Sequence, residues 1–401
     1  MKKKFDVAFV PLNKRLLQLA FEISRPLIKE GISVCILKTS FNGKELSAFN
    51  DHHLNNKIKK IIPIIDVSFA KYKHRAKFFT NILRTIFTHY KLNKFWSAPY
   101  KSLVTFMDDY DIDELFNIYS KKNGIPTIML QEGSEPRRNK YNFSLYDFFL
   151  FFRNLIFRNY YNSKAVGLNS DYVAAWSKIN YQHFIEYGRT SKNTFIVGSP
   201  YPLVKIKKNN RLKKNILILH QTLYHRYSSV KWNNELWREL SLQLLKKGYN
   251  VTMKPHPRAD SKTENELFLS IKKKSKLLNK SIKIIRKNIL AEKLIHKADL
   301  VVTCNSVGAN NALGNGIPVI YIDTEFSKNR VLQKLKKKND ILLAKNWADA
   351  VNKIDYIISN PSKLALWKKK GYSSLIKLSG DPDIFKEKWV KLVSKVINEK
   401  N

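Results

Sequence analysis

The sequence predicts an α/β protein built from two successive Rossmann-like domains, facing each other across a cleft and finished by C-terminal helices. Three observations carry this. Short apolar runs alternate with amphipathic stretches along all 401 residues, the pattern of repeated βα units. Glycines such as Gly31, Gly188 and Gly248 close the amphipathic stretches, where a helix hands over to a strand. Polar and titratable residues follow directly on the apolar runs, at the edge where open α/β sheets bind ligands. At roughly 100 to 200 residues per domain, this length calls for two domains.

In the first half, strands are expected at 5–10, 32–37, 61–65, 103–107, 127–130, 171–176 and 194–197, with helices at 14–30, 112–119 and 181–187. The stretch 71–100 is basic and aromatic, with apolar residues at helical spacing. A second aromatic stretch, 146–161, suits a membrane surface, a lid or a buried helix equally. The first domain is expected to span 1–200, followed by a Lys- and Asn-rich linker at 201–214 without hydrophobic periodicity. The second domain, 215–401, opens with a strand at 215–219. It continues with strands ending at 253, 285, 303 and 322 and helices at 235–247, 264–278, 291–297, 309–313, 327–337, 347–359 and 385–399.

Composition bounds the partners. Lys plus Arg number 73 against 32 Asp plus Glu, a net charge of +41, which raises the local concentration of anions. Nucleic acid, an anionic membrane and an anionic substrate all fit such a field. The basic residues are spread through every segment and no RRM, KH or helix-turn-helix signature appears, which argues against nucleic acid. The two cysteines, Cys35 and Cys304, lie singly in apolar runs, the usage of a reduced, cytoplasmic protein. Residues 1–4 are basic, but the apolar run after them is broken by Asp6 and Pro11, so a first strand is expected rather than a signal peptide. No run approaches the ~18 to 20 uncharged apolar residues of a membrane helix. There is no HExxH, no paired Cys/His ligand spacing, no GxxxxGK[ST] and no GxGxxG after a strand, so neither a metal nor a resident cofactor is expected.

The candidate chemistry sits at strand ends. Lys254-Pro255-His256-Pro257-Arg258 follows a strand. Its prolines stiffen the loop, and its two cations and one imidazole suit a phosphate leaving group. A basic Pro-rich turn with a solvated histidine has the same composition. Glu132, before Gly133, can act as a general base if partly buried; it can also pair with Arg137 or Arg138. Ser306, with Asn305 before it, stands between a strand and a helix, as a phosphate ligand or as an ordinary N-cap. His220 and Gln221 end the first strand of the second domain and border the same pocket, although a lone histidine at a strand end is more often structural.

Three of these motifs together resemble bacterial GT-B glycosyltransferases. Gln131-Glu132-Gly133, Lys254-Pro255-His256-Pro257, and Asn305-Ser306 ahead of Gly316-Ile317-Pro318-Val319 are similar to the acidic-Gly, HP and Ser/Thr motifs of sialyltransferases and capsule polysialyltransferases. The segment from Tyr172 to Pro200 is similar to a wider set of surface-polysaccharide transferases. The resemblance implies a metal-independent, inverting transfer of a sugar from a CMP-linked acid donor to a capsule or lipopolysaccharide glycan. Glu132 would serve as base, His256 would hold or protonate the leaving phosphate, and Ser306 would bind it. Asn305, Lys254, Arg258, His220 and Gln221 would line the donor site, and Arg137 and Arg138 the acceptor side. Position 131 is Gln where the polysialyltransferase pattern carries a second acidic residue, which leaves Kdo or another donor open. A CDP-glycerol polymerase and a UDP-sugar 2-epimerase share the same cleft chemistry. The implied partners are a nucleotide-sugar, an acidic oligosaccharide or lipid-linked glycan, and an anionic membrane surface.

Overall fold

The computed structural model describes residues 4–41, 44–45, 49, 51–69, 98–106, 111–131, 169–186, 188–201, 203, 214–221, 229–256, 262–286, 291–304, 306, 308–324 and 330–399. Of the basic and aromatic stretch 71–100, residues 71–97 lie outside them, as does the whole aromatic stretch 146–161. The chain divides into two compact units. One gathers the described residues up to 201 together with 381–399, and the other the described residues of 203–380.

The first unit runs β1 (Phe5–Phe9), α1 (Lys14–Lys29), β2 (Val34–Phe41), β3 (Lys44–Glu45), α2 (His52–Lys59), β4 (Ile64–Phe69), β5 (Tyr100–Thr105), α3 (Asp111–Lys122), β6 (Thr127–Leu130), β7 (Tyr172–Ala175), α4 (Lys178–Glu186) and β8 (Thr194–Ile196). Its strands pair in parallel in the order β4-β2-β1-β5-β6-β7-β8, and two-residue β3 lies antiparallel to the end of β2. The middle strands are buried on both faces, which is why they read as apolar runs without alternation. Asn13 starts α1 by accepting the Leu16 N–H at 3.0 Å, a side-chain cap on a helix whose first turn has no acid.

The second unit runs β9 (Asn215–Leu219), α5 (Val230–Lys246), β10 (Asn250–Lys254), α6 (Lys262–Leu277), β11 (Lys283–Ile284), α7 (Glu292–Ile295), β12 (Leu300–Thr303), α8 (Ala309–Gly314), β13 (Val319–Ile322), α9 (Arg330–Lys337), β14 (Leu342–Ala344), α10 (Trp347–Ile358) and α11 (Pro361–Ser379). All six strands are parallel in the order β11-β10-β9-β12-β13-β14. Trp237 on α5, Phe268 on α6 and Ile354 on α10 pack with Ile218, Val302 and Ile320 of the sheet in one apolar core.

Two differences from the expected elements are informative. The 19-residue α11 was not anticipated, because its lysine run and central Gly371 dilute the apolar period. Asn360 caps it, with Pro361 in the first turn, and Gly371 is required by contact: a Cβ there would lie 2.5 Å from the Leu313 carbonyl oxygen. The helix thus approaches the end of α8 at backbone distance. Unanticipated β14 is too short to show a period.

The second difference concerns the C-terminus. The expected second domain ran to 401, but α12 (Phe385–Asn398) packs in the first unit. Its stripe of Phe385, Trp389, Leu392, Val393 and Val396 joins the core of β1 and α1. Trp389 is fully buried, 6.4 Å from the ring of Phe9, and its indole N–H donates to the Ile23 carbonyl at 3.2 Å. Tyr172 on β7 donates to Glu399 at 2.6 Å. Gly198 has φ +91, and any Cβ there would collide with the Asp381 carbonyl, so the close crossing of these two segments depends on glycine.

Trp389→Ala is expected to destabilise the protein by about 3–5 kcal/mol, the range for an emptied aromatic core position. Urea unfolding followed by fluorescence and by circular dichroism would check it, and an unchanged midpoint would show that α12 is dispensable to the first unit.

Candidate active site

In the second unit the chain order reverses between β9 and β12, the switch point of a doubly wound sheet. The register brings the strand ends level, for Leu219 pairs with Lys254 on one side and with Thr303 on the other. Neighbouring strands lie about 4.8 Å apart, so the segments leaving β9, β10 and β12 emerge within roughly 10 Å along one edge. Those segments carry His220 and Gln221, Pro255 and His256, and Ser306 and Gly308. Two bonds hold the edge together: Thr303 donates its hydroxyl to the Leu219 carbonyl at 3.2 Å, and the His220 N–H reaches the Lys254 carbonyl at 3.0 Å.

His256 stands exposed on this edge, behind a buried Pro255. Lys254 is half-buried and directs its ammonium to the Pro255 carbonyl at 3.3 Å. Burial lowers its pKa below that of a free lysine. Ser306 is half-buried and its hydroxyl accepts the Gly308 N–H at 3.2 Å. The expected serine N-cap is corrected here: Gly308 is the N-cap of α8, and Ser306 stands two residues earlier in the turn that feeds it. A Cβ on Gly308 would lie 3.2 Å from the Ala291 methyl and 3.6 Å from Leu219, so glycine lets this turn settle against the end of β9.

Of the two readings of His220, pocket-lining or structural, its side chain takes the structural one. Its ring is buried 5.2 Å from that of Trp237 and 5.1 Å from that of Phe268, edge-on to the latter. Neither ring nitrogen has a hydrogen-bond partner among the described residues. Burial, and secondarily the nearby His256, push its pKa down to about 3, so the imidazole is neutral at physiological pH. The backbone of His220 belongs to the edge, but its side chain belongs to the layer beneath. Gln221 contributes its carbonyl, which accepts the Trp237 indole N–H at 3.2 Å.

In the first unit, Gln131 is buried at the end of β6, and its side-chain oxygen accepts the Trp176 N–H at 2.9 Å. The residue that breaks the two-acid pattern therefore stitches β6 to β7. Glu132, Arg137, Arg138, Arg258 and Asn305 lie outside the described residues. Sequence reasoning passed over Asp323, which follows β13 on the same edge, is buried and bonds to Gln333; its signal was a lone acid after an apolar run. Cys35 and Cys304 are buried free thiols, with burial pushing Cys35 up to about 12 and Cys304 upwards too. Among the described residues no group of three or more His, Cys, Asp or Glu side chains could hold a metal ion, and no helix is long and apolar enough to cross a membrane.

Residues 177–306, about a third of the chain, match the family model described as alpha-2,8-polysialyltransferase (POLYST). The matched span takes in His256 and ends on Ser306. Among solved structures, MurG of Acinetobacter baumannii is similar at 12% identity and TM-score 0.53, covering 98% of this chain and 99% of that one. LpCGTa in complex with UDP is similar at 11% identity and TM-score 0.59, covering 98% and 99%. The chain shares the two-unit α/β fold of these glycosyltransferases, and its residues 177–306 resemble the polysialyltransferase family. The lipopolysaccharide outer core galactosyltransferase WaaB is similar in fold at 12% identity and TM-score 0.51, covering 99% of this chain and 100% of that one. No curated protein sequence matches it.

The buried imidazole gives a pH signature. An unfolded histidine titrates near 6.5, whereas His220 does so near 3, so in this window the unfolded chain binds a proton that the folded one refuses. Stability from this group is present above pH 6.5 and is lost as pH falls, by about 2 kcal/mol at pH 5. Urea unfolding at pH 7 and pH 5 should show a loss about 2 kcal/mol smaller in His220→Leu than in wild type; identical losses would remove His220 as the cause.

Proposed function

We propose that this transferase moves an acid sugar, sialic acid or a relative, from a CMP-linked donor to an acidic capsule or lipopolysaccharide glycan, with inversion and without metal. The observation that carries the reading is the polysialyltransferase match over 177–306, whose span holds His256 and Ser306 on the level C-terminal edge of β10 and β12. That edge is where a doubly wound sheet binds nucleotides.

In this reaction the acceptor hydroxyl attacks the anomeric carbon as the bond to the CMP phosphate oxygen breaks. Glu132 takes the hydroxyl proton. His256 donates a hydrogen bond or its proton to the departing phosphate, and Ser306, with Asn305, Lys254 and Arg258, binds that phosphate. A protonated imidazole and a lysine partly stripped of water both favour an anion there. Arg137 and Arg138 meet the acidic acceptor. The side chain of His220 supports the edge from below rather than touching the donor. The net charge of +41 gathers both anionic substrates to the protein, and the cytoplasmic face of a membrane is where such acceptors are met.

A panel of CMP-Neu5Ac, CMP-Kdo, CDP-glycerol, UDP-sugars and GDP-sugars, scored for nucleotide release with and without acidic oligosaccharide, tests the donor. CMP release that depends on acceptor is the expected result. Turnover of CDP-glycerol or a UDP-sugar with silence from both CMP-sugars would discard the acid-sugar assignment. With the active donor in hand, His256→Ala should lower kcat by about 100- to 10,000-fold, the scale of general-acid loss, while the unfolding midpoint stays put. A wild-type rate in His256→Ala would remove it from the mechanism.

A further inference from the structure

The outer helix of the second unit carries a face that the reaction does not use. Helix α6 buries Glu264, Leu267, Phe268, Ile271 and Ser275 on one stripe. On the far side, at the helical spacing i, i+3, i+4, i+7, i+8, i+11, lie Leu269, Lys272, Lys273, Lys276, Leu277 and Lys280, and every one is exposed. Leu269 is 67% and Leu277 78% exposed, and eight residues of helix set them about 12 Å apart. The stripe is held past the end of the helix. Asn279, at φ +51, closes it in a left-handed cap, with its N–H on the Lys276 carbonyl at 2.9 Å and the Lys280 N–H on the Ser275 carbonyl at 3.1 Å.

The local charge has one sign. Between Glu266 and Glu292 the sequence contains no Asp or Glu. Lys272, Lys273, Lys276 and Lys280 form no ion pair among the described residues. We propose that this stripe of α6 docks the transferase on an anionic lipid bilayer, with Leu269 and Leu277 entering the headgroup boundary and the lysines meeting lipid phosphates. A row of lysines framing two projecting leucines is the composition of an interfacial helix. An anionic glycan would engage the lysines but gain nothing from the leucines. A protein interface would be depleted of lysine at its centre. The inference goes beyond the transfer reaction and is independent of which donor is used.

The test is cosedimentation of the full chain with vesicles of phosphatidylcholine alone and of phosphatidylcholine mixed with phosphatidylglycerol. Three variants are compared: Leu269→Gln with Leu277→Gln; Lys272→Gln with Lys273→Gln and Lys276→Gln; and, as a control of equal charge, Lys386→Gln with Lys388→Gln and Lys391→Gln on α12. Binding to the anionic vesicles only is expected, weakened at least tenfold by the α6 lysine variant and several-fold by the leucine variant, with the control close to wild type. Nucleotide release on a soluble acceptor should persist in all three, which keeps a failure of docking separate from a failure of the reaction. The proposal is overturned if the leucine variant binds as wild type, if the control weakens binding as much as the α6 lysines, or if wild-type protein ignores anionic vesicles and instead retains an oligosialic acid through these lysines.

Discussion

The arrangement of the candidate site depends on parallel strands ending at one level. In a doubly wound sheet every strand of the second unit runs the same way, so the segments that leave β9, β10 and β12 share an edge, although they are separated by dozens of residues in sequence. The register fixes Leu219 against both Lys254 and Thr303, and two hydrogen bonds at that height extend the ladder past the formal strand ends. A single-residue slip in either pairing would turn the next side chains to the other face and separate His256 from Ser306. Glycine enters where backbone must come close, at Gly308 beside Leu219.

Beneath that edge the polar groups are sorted by solvent. His256 is exposed, whereas His220 is enclosed by Trp237 and Phe268 and held neutral. Two histidines at neighbouring strand ends thus stand in different surroundings, one in solvent and one in an apolar layer. An imidazole charged beneath the edge would repel a cation above it; a neutral one leaves the positive charge of Lys254 unopposed there. In the first unit Gln131 follows the same logic, since a neutral amide oxygen can accept the buried Trp176 N–H without the cost of a buried carboxylate.

The large positive charge is unevenly used. Several lysines are tied to carboxylates, as Lys247 is to Asp355 and Lys377 to Asp340, while the outward stripe of α6 carries no acid and, among the described residues, no ion pair. A surface pair of this kind is worth little in water, so its effect is to mask charge locally. Where masking is absent, the field is left for an external anion.

Much of this was legible in sequence. Period, glycine punctuation and apolar strands gave the two α/β halves, and the polar residues after strands marked His256 and Ser306, because parallel sheets write buried strands as short apolar runs with chemistry at their ends. Other features were not legible locally. The burial of His220 follows from helices α5 and α6 closing over it, and α12 belongs to the first unit because Trp389 finds Phe9 and the Ile23 carbonyl, partners far from it in sequence. The helix α11 was hidden by a glycine that only its contact with Leu313 explains. Sequence determined which segments are strands, which are helices and which residues stand at their ends, since these are set by neighbours a few positions apart. Tertiary structure alone decided which of those ends meet and which of their side chains see water, because burial is a property of packing between distant segments.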